Sequence, residues 1–292
     1  TPFKLINTEE HFNTRFVHKF VPIDSVQKLN GTVVNVHHAN KINPYINYPF
    51  YNMEEQKEYI ERAHKKGIKV KLYNTIRELT YMTYELFPLR SLGNEIFNDG
   101  NGGGHSWLQE HLKRNYHSAW HAVNVNDASI LNKGTSRWTN YYIEGINWLA
   151  KNNKIDGLYL DDIAFSRSTV KRIASVLNRN RESFVIDLHS ANQFNNRDGY
   201  INSALLYMEH FPYVSRLWFG EYFEYDLDAD YWMTEVSGIP FGLTGEMLEK
   251  GGKPYRGLLY GMTTRVYHNY NPGNLWKLFE DFGIADSRMI GY

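Results

Sequence analysis

The stretch Asp156-Gly157-Leu158-Tyr159-Leu160-Asp161-Asp162 constrains the fold of this chain more than any other. It is a short apolar run that ends in two adjacent carboxylates, then passes through Ile163-Ala164-Phe165 and Ser166 into a helical pattern. An apolar run of that length, flanked by amphipathic helical patterns, reads as a strand buried on both faces in a parallel sheet. Carboxylates at the end of a buried strand are costly unless they bind something or do chemistry. Alternation separates the two acids. Leu158 and Leu160 share one face, suited to packing on helices, while Tyr159 and Asp161 share the other and point toward the axis of a closed barrel.

The rest of the chain repeats the pattern of strand followed by helix. Residues 1–30 mix helix and loop signals and read as a lead-in segment. The expected strands are 32–38, 68–74, a weaker 118–123, 157–161, 184–189, 216–221, 240–244 and 288–292. Between them lie helical patterns at 53–66, 136–149, 170–177, 201–210, 231–236, 255–267 and 275–282. Ser136 is placed to cap a helix whose Trp138, Tyr142, Gly145, Ile146 and Leu149 form one stripe. A long insertion from Thr75 to about His117, with Gly102-Gly103-Gly104, follows the second strand. Connections of that length in compact domains are usually functional. Eight strands alternating with helices predict the α/β class and a (β/α)8 TIM barrel, filling 31–292. The start at Thr1-Pro2, without methionine, carries the expectation that the barrel is part of a longer multidomain protein.

Composition narrows the partners. The 32 basic and 32 acidic residues cancel, so no global field draws the chain to nucleic acid. No run approaches the roughly 18 apolar residues of a membrane span, so no membrane insertion is expected. The absence of cysteine excludes disulfides, thiolate metal sites and a cysteine nucleophile. No glycine-rich nucleotide fingerprint follows the first expected strand, His37-His38 lacks His-x-His spacing, and His105 to His111 is not His-Glu-x-x-His. Neither cofactor nor catalytic metal is therefore expected. The chain is rich in aromatics, with 22 Tyr, 16 Phe and 7 Trp. They fill a large core or line a cleft for oligosaccharide or polysaccharide, whose rings stack on aromatic faces.

Active sites of such barrels lie at the carboxyl ends of the strands. Reading those ends in order collects His37, His38, Tyr73, Asn74, Trp120, His121, Asp161, Asp162, His189, Glu221, Glu246 and Tyr292. Arg77, Trp107 and Tyr222 lie on the adjoining loops and join them as candidate substrate-binding residues. Asp161 is the better reactive carboxylate and Glu221, two strands on, its natural partner, while Asp162 assists or anchors the loop. Two acids facing across a pocket are what glycosidic cleavage requires: one protonates the leaving oxygen, the other attacks the anomeric carbon or activates water.

Asp156-Gly157-Leu158-Tyr159-Leu160-Asp161 resembles the fourth-strand signature of retaining α-glycosidases of the α-galactosidase and α-glucosidase superfamily. That resemblance implies a nucleophile at Asp161 and an acid/base at Glu221, where the superfamily normally carries aspartate. The wider chain, with Leu86-Phe87-Pro88-Leu89-Arg90-Ser91-Leu92 and Gly103-Gly104-His105-Ser106-Trp107-Leu108-Gln109-Glu110-His111, is similar to bacterial glycoside-hydrolase-like proteins near the β-N-acetylgalactosaminidases. Their barrel carries an adjacent Asp-Glu pair for substrate-assisted catalysis, and Asp161-Asp162 would occupy that place. The expectation is a glycoside hydrolase, retaining through Asp161 and Glu221, with substrate-assisted cleavage of an N-acetylhexosamine or a non-catalytic carbohydrate-binding barrel as alternatives. A glycan-degrading role would favour a secreted or periplasmic location.

Overall fold

Strands in this chain have one apolar face and one mixed polar and aromatic face, and that division decides how the sheet curls. The computed structural model describes residues 8–75, 78–80, 82–98, 127–131, 136–161, 165–189, 208–219, 244–247 and 263–287. Seven strands pair in parallel in one sheet: β1 (Phe16–Val17), β2 (Val33–Val36), β3 (Lys69–Asn74), β6 (Gly157–Leu160), β7 (Val185–His189), β8 (Arg216–Phe219) and β9 (Thr244–Met247). A separate antiparallel ribbon of β4 (Glu78–Thr80) and β5 (Asp127–Ser129) follows β3. Val266 bridges back to Val17 of β1 in parallel, which brings the segment after β9 to the open edge of the sheet. The result is a curled α/β sheet of TIM-barrel type.

Outward positions pack on helices. Val34, Val36, Val70, Leu72, Leu158, Leu160, Ile186, Leu188 and Leu217 belong to one buried cluster with the helix faces. Those helices include α3 (Met53–His64), α5 (Arg137–Trp148), α6 (Arg167–Asn180) and α7 (Gly273–Phe282). Three shorter helices, α1 (Thr8–Asn13), α2 (Ile23–Lys28) and α4 (Leu86–Arg90), complete the described set. Local sequence explains the helix ends. Ser136 accepts from Thr139 N–H and Ser166 from Thr169 N–H, each satisfying a free amide of the first turn. Gly67 stops the segment after α3 at φ +69°, a left-handed conformation that other residues adopt at a cost.

Inward positions form a second cluster: Phe16, Val33, Tyr73, Tyr159, Val185 and Trp218, joined by Ile46 from a loop. Between these rings lies a fully buried ion pair, Lys71 on β3 with Asp187 on β7. The Lys71 ammonium also sits over the rings of Phe16, at 4.2 Å, and Trp218, at 5.4 Å. At the amino end of β6, the buried Asp156 carboxylate accepts from Val70 N–H at 2.8 Å and Arg181 Nη2 at 2.6 Å, and meets His64 Nε2 at 2.7 Å. Burial alone would raise its pKa, but these hydrogen bonds prevail and hold it below the usual carboxylate range. Gly157 follows because a Cβ there would lie 1.8 Å from the Val185 carbonyl oxygen.

Several expectations need correction. The lead-in contains β1, so 32–38 is the second strand and not the first. Residues 118–123 lie outside the described residues, yet β3 pairs directly with β6, leaving no place for a strand between them. The sheet edge at β1 meets Val266, within a stretch read as helix, instead of 288–292, which lies outside the described residues. The strand expected at 240–244 is Thr244–Met247. The helical stretch read at 201–210 is described only from Met208, as a 3-10 helix to Tyr213. The inserted region between β3 and β6 holds β4, α4, β5 and α5.

Asp187→Asn would take the carboxylate's charge from beside the buried Lys71 ammonium, and we expect a loss of about 3–5 kcal/mol in unfolding free energy by denaturant titration. Pairing it with Lys71→Met should recover most of that loss. A single variant as stable as the parent would contradict the pair's place in the barrel interior.

Candidate active site

One residue beyond β6, the chain leaves the sheet with Asp161 N–H still bonded to the Asn74 carbonyl at 2.9 Å. Alternation therefore continues to Asp161, which stands above Tyr159 on the interior face. Its two oxygens meet side chains from the flanking strands. Tyr73 Oη, at the end of β3, donates to Asp161 Oδ2 at 2.5 Å. His189 Nδ1, at the end of β7, lies 2.7 Å from Asp161 Oδ1. The same His189 nitrogen lies 2.7 Å from Tyr159 Oη. The Asp161 side chain keeps 32% of its surface exposed, so a ligand can reach the carboxylate.

Imidazoles and aromatics wall this group. The rings of His37 and Tyr73 are 4.0 Å apart between centroids, and His38 lies 5.0 Å from Tyr73. His18 contacts Tyr159 at 5.0 Å, Trp218 at 5.1 Å and Tyr267 at 5.3 Å, and Asn35 Nδ2 meets its Nδ1 at 2.7 Å. Arg265 lies over Trp218 at 3.7 Å.

Burial sets the protonation of the wall. It lowers the His37 pKa to about 4 against the pull of Asp161, with Arg265 adding to the fall. It lowers His38 to about 3, aided by His37, and takes His18 well below its ordinary value, aided by Arg265. Burial, the Asp161 charge and the hydrogen bond to Asp161 all raise Tyr73, so its phenol keeps its proton. At neutral pH the wall thus presents neutral imidazoles at His18, His37 and His38, and Tyr73 is a phenol donor to Asp161. Such groups orient polar ligands by hydrogen bonds and by stacking.

Of the residues expected from sequence, Asp161, Tyr73, His189, His37 and His38 come together. Asn74 does not join them. Its side chain bonds back to the Leu72 carbonyl and lines a small cavity with Asn47, Phe50, Tyr141 and Leu149, on the helix side of the sheet. Glu246 lies on β9, paired in the ladder with Trp218. Asp162, Glu221, Arg77, Trp107, Trp120, His121, Tyr222 and Tyr292 lie outside the described residues. Sequence reading missed His18, Asn35, Trp218, Arg265 and Tyr267. The run Phe16-Val17-His18 was the available signal for His18, a short apolar pair ending in a polar residue like the other strands. Among the described residues no group of three acidic or imidazole side chains could hold a metal ion.

The profile of the glycoside hydrolase 123 TIM-barrel domain matches residues 7–267. No curated protein sequence matches the chain. Among solved structures, a noncanonic maltogenic α-amylase from Thermotoga neapolitana superposes with a TM-score of 0.54 at 9% identity, over 83% of this chain and 59% of its own. An α-amylase from Lactobacillus plantarum gives 0.53 at 13% identity, over 83% and 63%. An Anoxybacillus α-amylase gives 0.51 at 13%, over 77% and 52%. These likenesses are of fold, and the chain spans between about half and two thirds of each amylase.

Buried histidines make the site acid-sensitive. Folded His37 titrates near 4, against an ordinary 6.5, so between those values the unfolded chain binds the extra proton. The contribution to stability is complete above about 6.5 and is lost as pH falls toward 4. We expect His37→Gln to reduce the loss of unfolding free energy between about pH 7 and pH 5 by roughly 1–2 kcal/mol. Equal losses in parent and variant, by denaturant titration at both pH values, would contradict a buried neutral His37.

Proposed function

We propose, for a chain that belongs to the glycoside hydrolase 123 family, that its barrel hydrolyses a glycosidic bond with net retention, with Asp161 as the carboxylate at the reacting centre. The observation that carries this reading is the hold on Asp161 from two strands, Tyr73 at one oxygen and His189 at the other. A carboxylate fixed in this way is a pre-organised acceptor for charge that develops in a transition state.

The first form of the reading is substrate-assisted and takes an N-acetylhexosamine at the cleavage point. The substrate's acetamido oxygen attacks the anomeric carbon while the bond to the leaving oxygen breaks. Asp161 accepts the acetamido N–H and offsets the positive charge that forms on the resulting ring. Asp162 gives its proton to the leaving oxygen, then takes one from the water that attacks the anomeric carbon and reopens the ring. Two inversions give retention. Tyr73 keeps its proton throughout and so remains a donor that steadies Asp161.

The second form makes Asp161 itself the nucleophile and Glu221 the acid/base. It is supported by β8, which runs parallel to β6 with β7 between them and ends at Phe219, two residues before Glu221. The two forms divide on the sugar. The substrate-assisted form requires a 2-acetamido group, whereas the nucleophile form also accepts a 2-hydroxyl.

Hydrolysis of an aryl N-acetyl-β-hexosaminide and of its 2-hydroxy counterpart separates them. We expect kcat/KM for the acetamido substrate to exceed that for the hydroxyl one by at least about 10²-fold, and Asp161→Ala to lower it by about 10²–10⁴-fold. Equal rates on both substrates would favour Glu221 as the partner. An Asp161→Ala protein with parental activity would remove Asp161 from the chemistry altogether.

A further inference from the structure

Away from Asp161, the described surface carries a group of exposed aromatics that the catalytic reading leaves unused. Tyr84 is 73% exposed, Met82 47% and Tyr51 42%. The rings of Tyr51 and Tyr84 are nearly parallel, 9° between planes with centroids 6.3 Å apart. Tyr45 stands edge-on against Tyr51 at 5.3 Å. Two phenol rings from two different loops are thus held parallel at the surface, with much of their apolar area open to solvent.

Their supports tie them to the working rim of the barrel. Tyr45 and Tyr51 lie on the loop that follows the carboxyl end of β2, and Tyr84 follows β4 in the insertion after β3. The β2 loop is fastened to the end of β3 through Asn47, whose Nδ2 donates to Thr75 Oγ1 at 2.8 Å and whose Oδ1 accepts from Thr75 N–H at 2.7 Å. Thr75 is two residues from Tyr73, the donor to Asp161. Asn47 Nδ2 also reaches the Glu78 carbonyl on β4 at 2.8 Å, and the Tyr48 hydroxyl bonds among Thr83, Tyr84 and Glu85. Gln56 donates to the carbonyls of Ile42 and Pro49, which fixes the loop from beneath. The loop that carries Tyr45 and Tyr51 is thus held in place against the end of β3 and against β4, at the carboxyl-end rim of the sheet.

The size and chemistry of the aromatic group select the occupant. The open faces of Tyr51, Met82 and Tyr84 amount to roughly 300 Å², well under the about 800 Å² that a stable protein interface needs from each partner. A pyranose ring fits better, because it presents an apolar C–H face to an aromatic plane and hydroxyls at its edge to phenols. We infer that Tyr51 and Tyr84 form a sugar-binding platform on the catalytic rim, which holds a ring of the same glycan chain several units from the bond at Asp161. The inference rests on the proposed glycosidase reading and extends it to substrates longer than the sugar being cleaved.

The test is binding of a β-linked N-acetylhexosamine hexasaccharide to the Asp161→Ala protein by calorimetry, which needs no turnover. Adding Tyr84→Ala should weaken the Kd about fivefold or more, and Tyr84→Phe should restore it because the ring remains. In the catalytically intact chain, Tyr84→Ala should raise KM for the hexasaccharide and leave the rate on a small aryl glycoside unchanged. No binding of the hexasaccharide, or a Kd indifferent to Tyr84→Ala, overturns the platform. So does self-association of the parent, by light scattering, that Tyr84→Ala abolishes. Failure of hydrolysis with ring-dependent binding intact would sink the catalytic reading and leave the platform standing.

Discussion

The buried ion pair of Lys71 and Asp187 is the interaction on which the site depends. It joins β3 to β7 across the concave face of β6, and both side chains are removed from water completely. Two charges in such a place are tolerated only when each satisfies the other. Their strands reappear one layer higher, because alternation brings Tyr73 two residues after Lys71 and His189 two residues after Asp187. The pair thereby ties together, across β6, the two strands that grip Asp161. Phe16 and Trp218 close around the ammonium and separate this charged layer from the rim.

Above that layer the pocket sets neutral rings and the Arg265 guanidinium around the Asp161 carboxylate. His18, His37 and His38 are held neutral by burial, and Tyr73 is held protonated. Asp161 is the carboxylate these groups surround among the described residues. Donors held in place around a carboxylate are suited to steadying charge that comes and goes on a substrate. Membership of the glycoside hydrolase 123 family rests on the match of its TIM-barrel domain, while the amylases supply likeness of fold only.

The legible part of the sequence was the part governed by short-range periodicity. Leu158 and Leu160 faced helices and Tyr159 and Asp161 faced the axis, as alternation requires. Ser136 capped its helix because a side-chain oxygen three residues before a free amide has few other uses. What escaped reading was long-range. Phe16-Val17 is too short to announce a strand, and it becomes one only because β2 and Val266 pair with it. His18 was lost with it. Residues 255–267 have helical spacing, yet Val266 bridges to Val17 at the sheet edge and Arg265 beside it lies over Trp218. Asn74 looked like a rim residue by position, but its parity turns it toward the helices.

Proton NMR of the first-formed product tests the central claim most directly, by following the anomeric signal before mutarotation. Cleavage centred on Asp161, in either form, gives a product with the configuration of the bond that was broken. First appearance of the opposite anomer would mean single displacement by water, and would contradict the account.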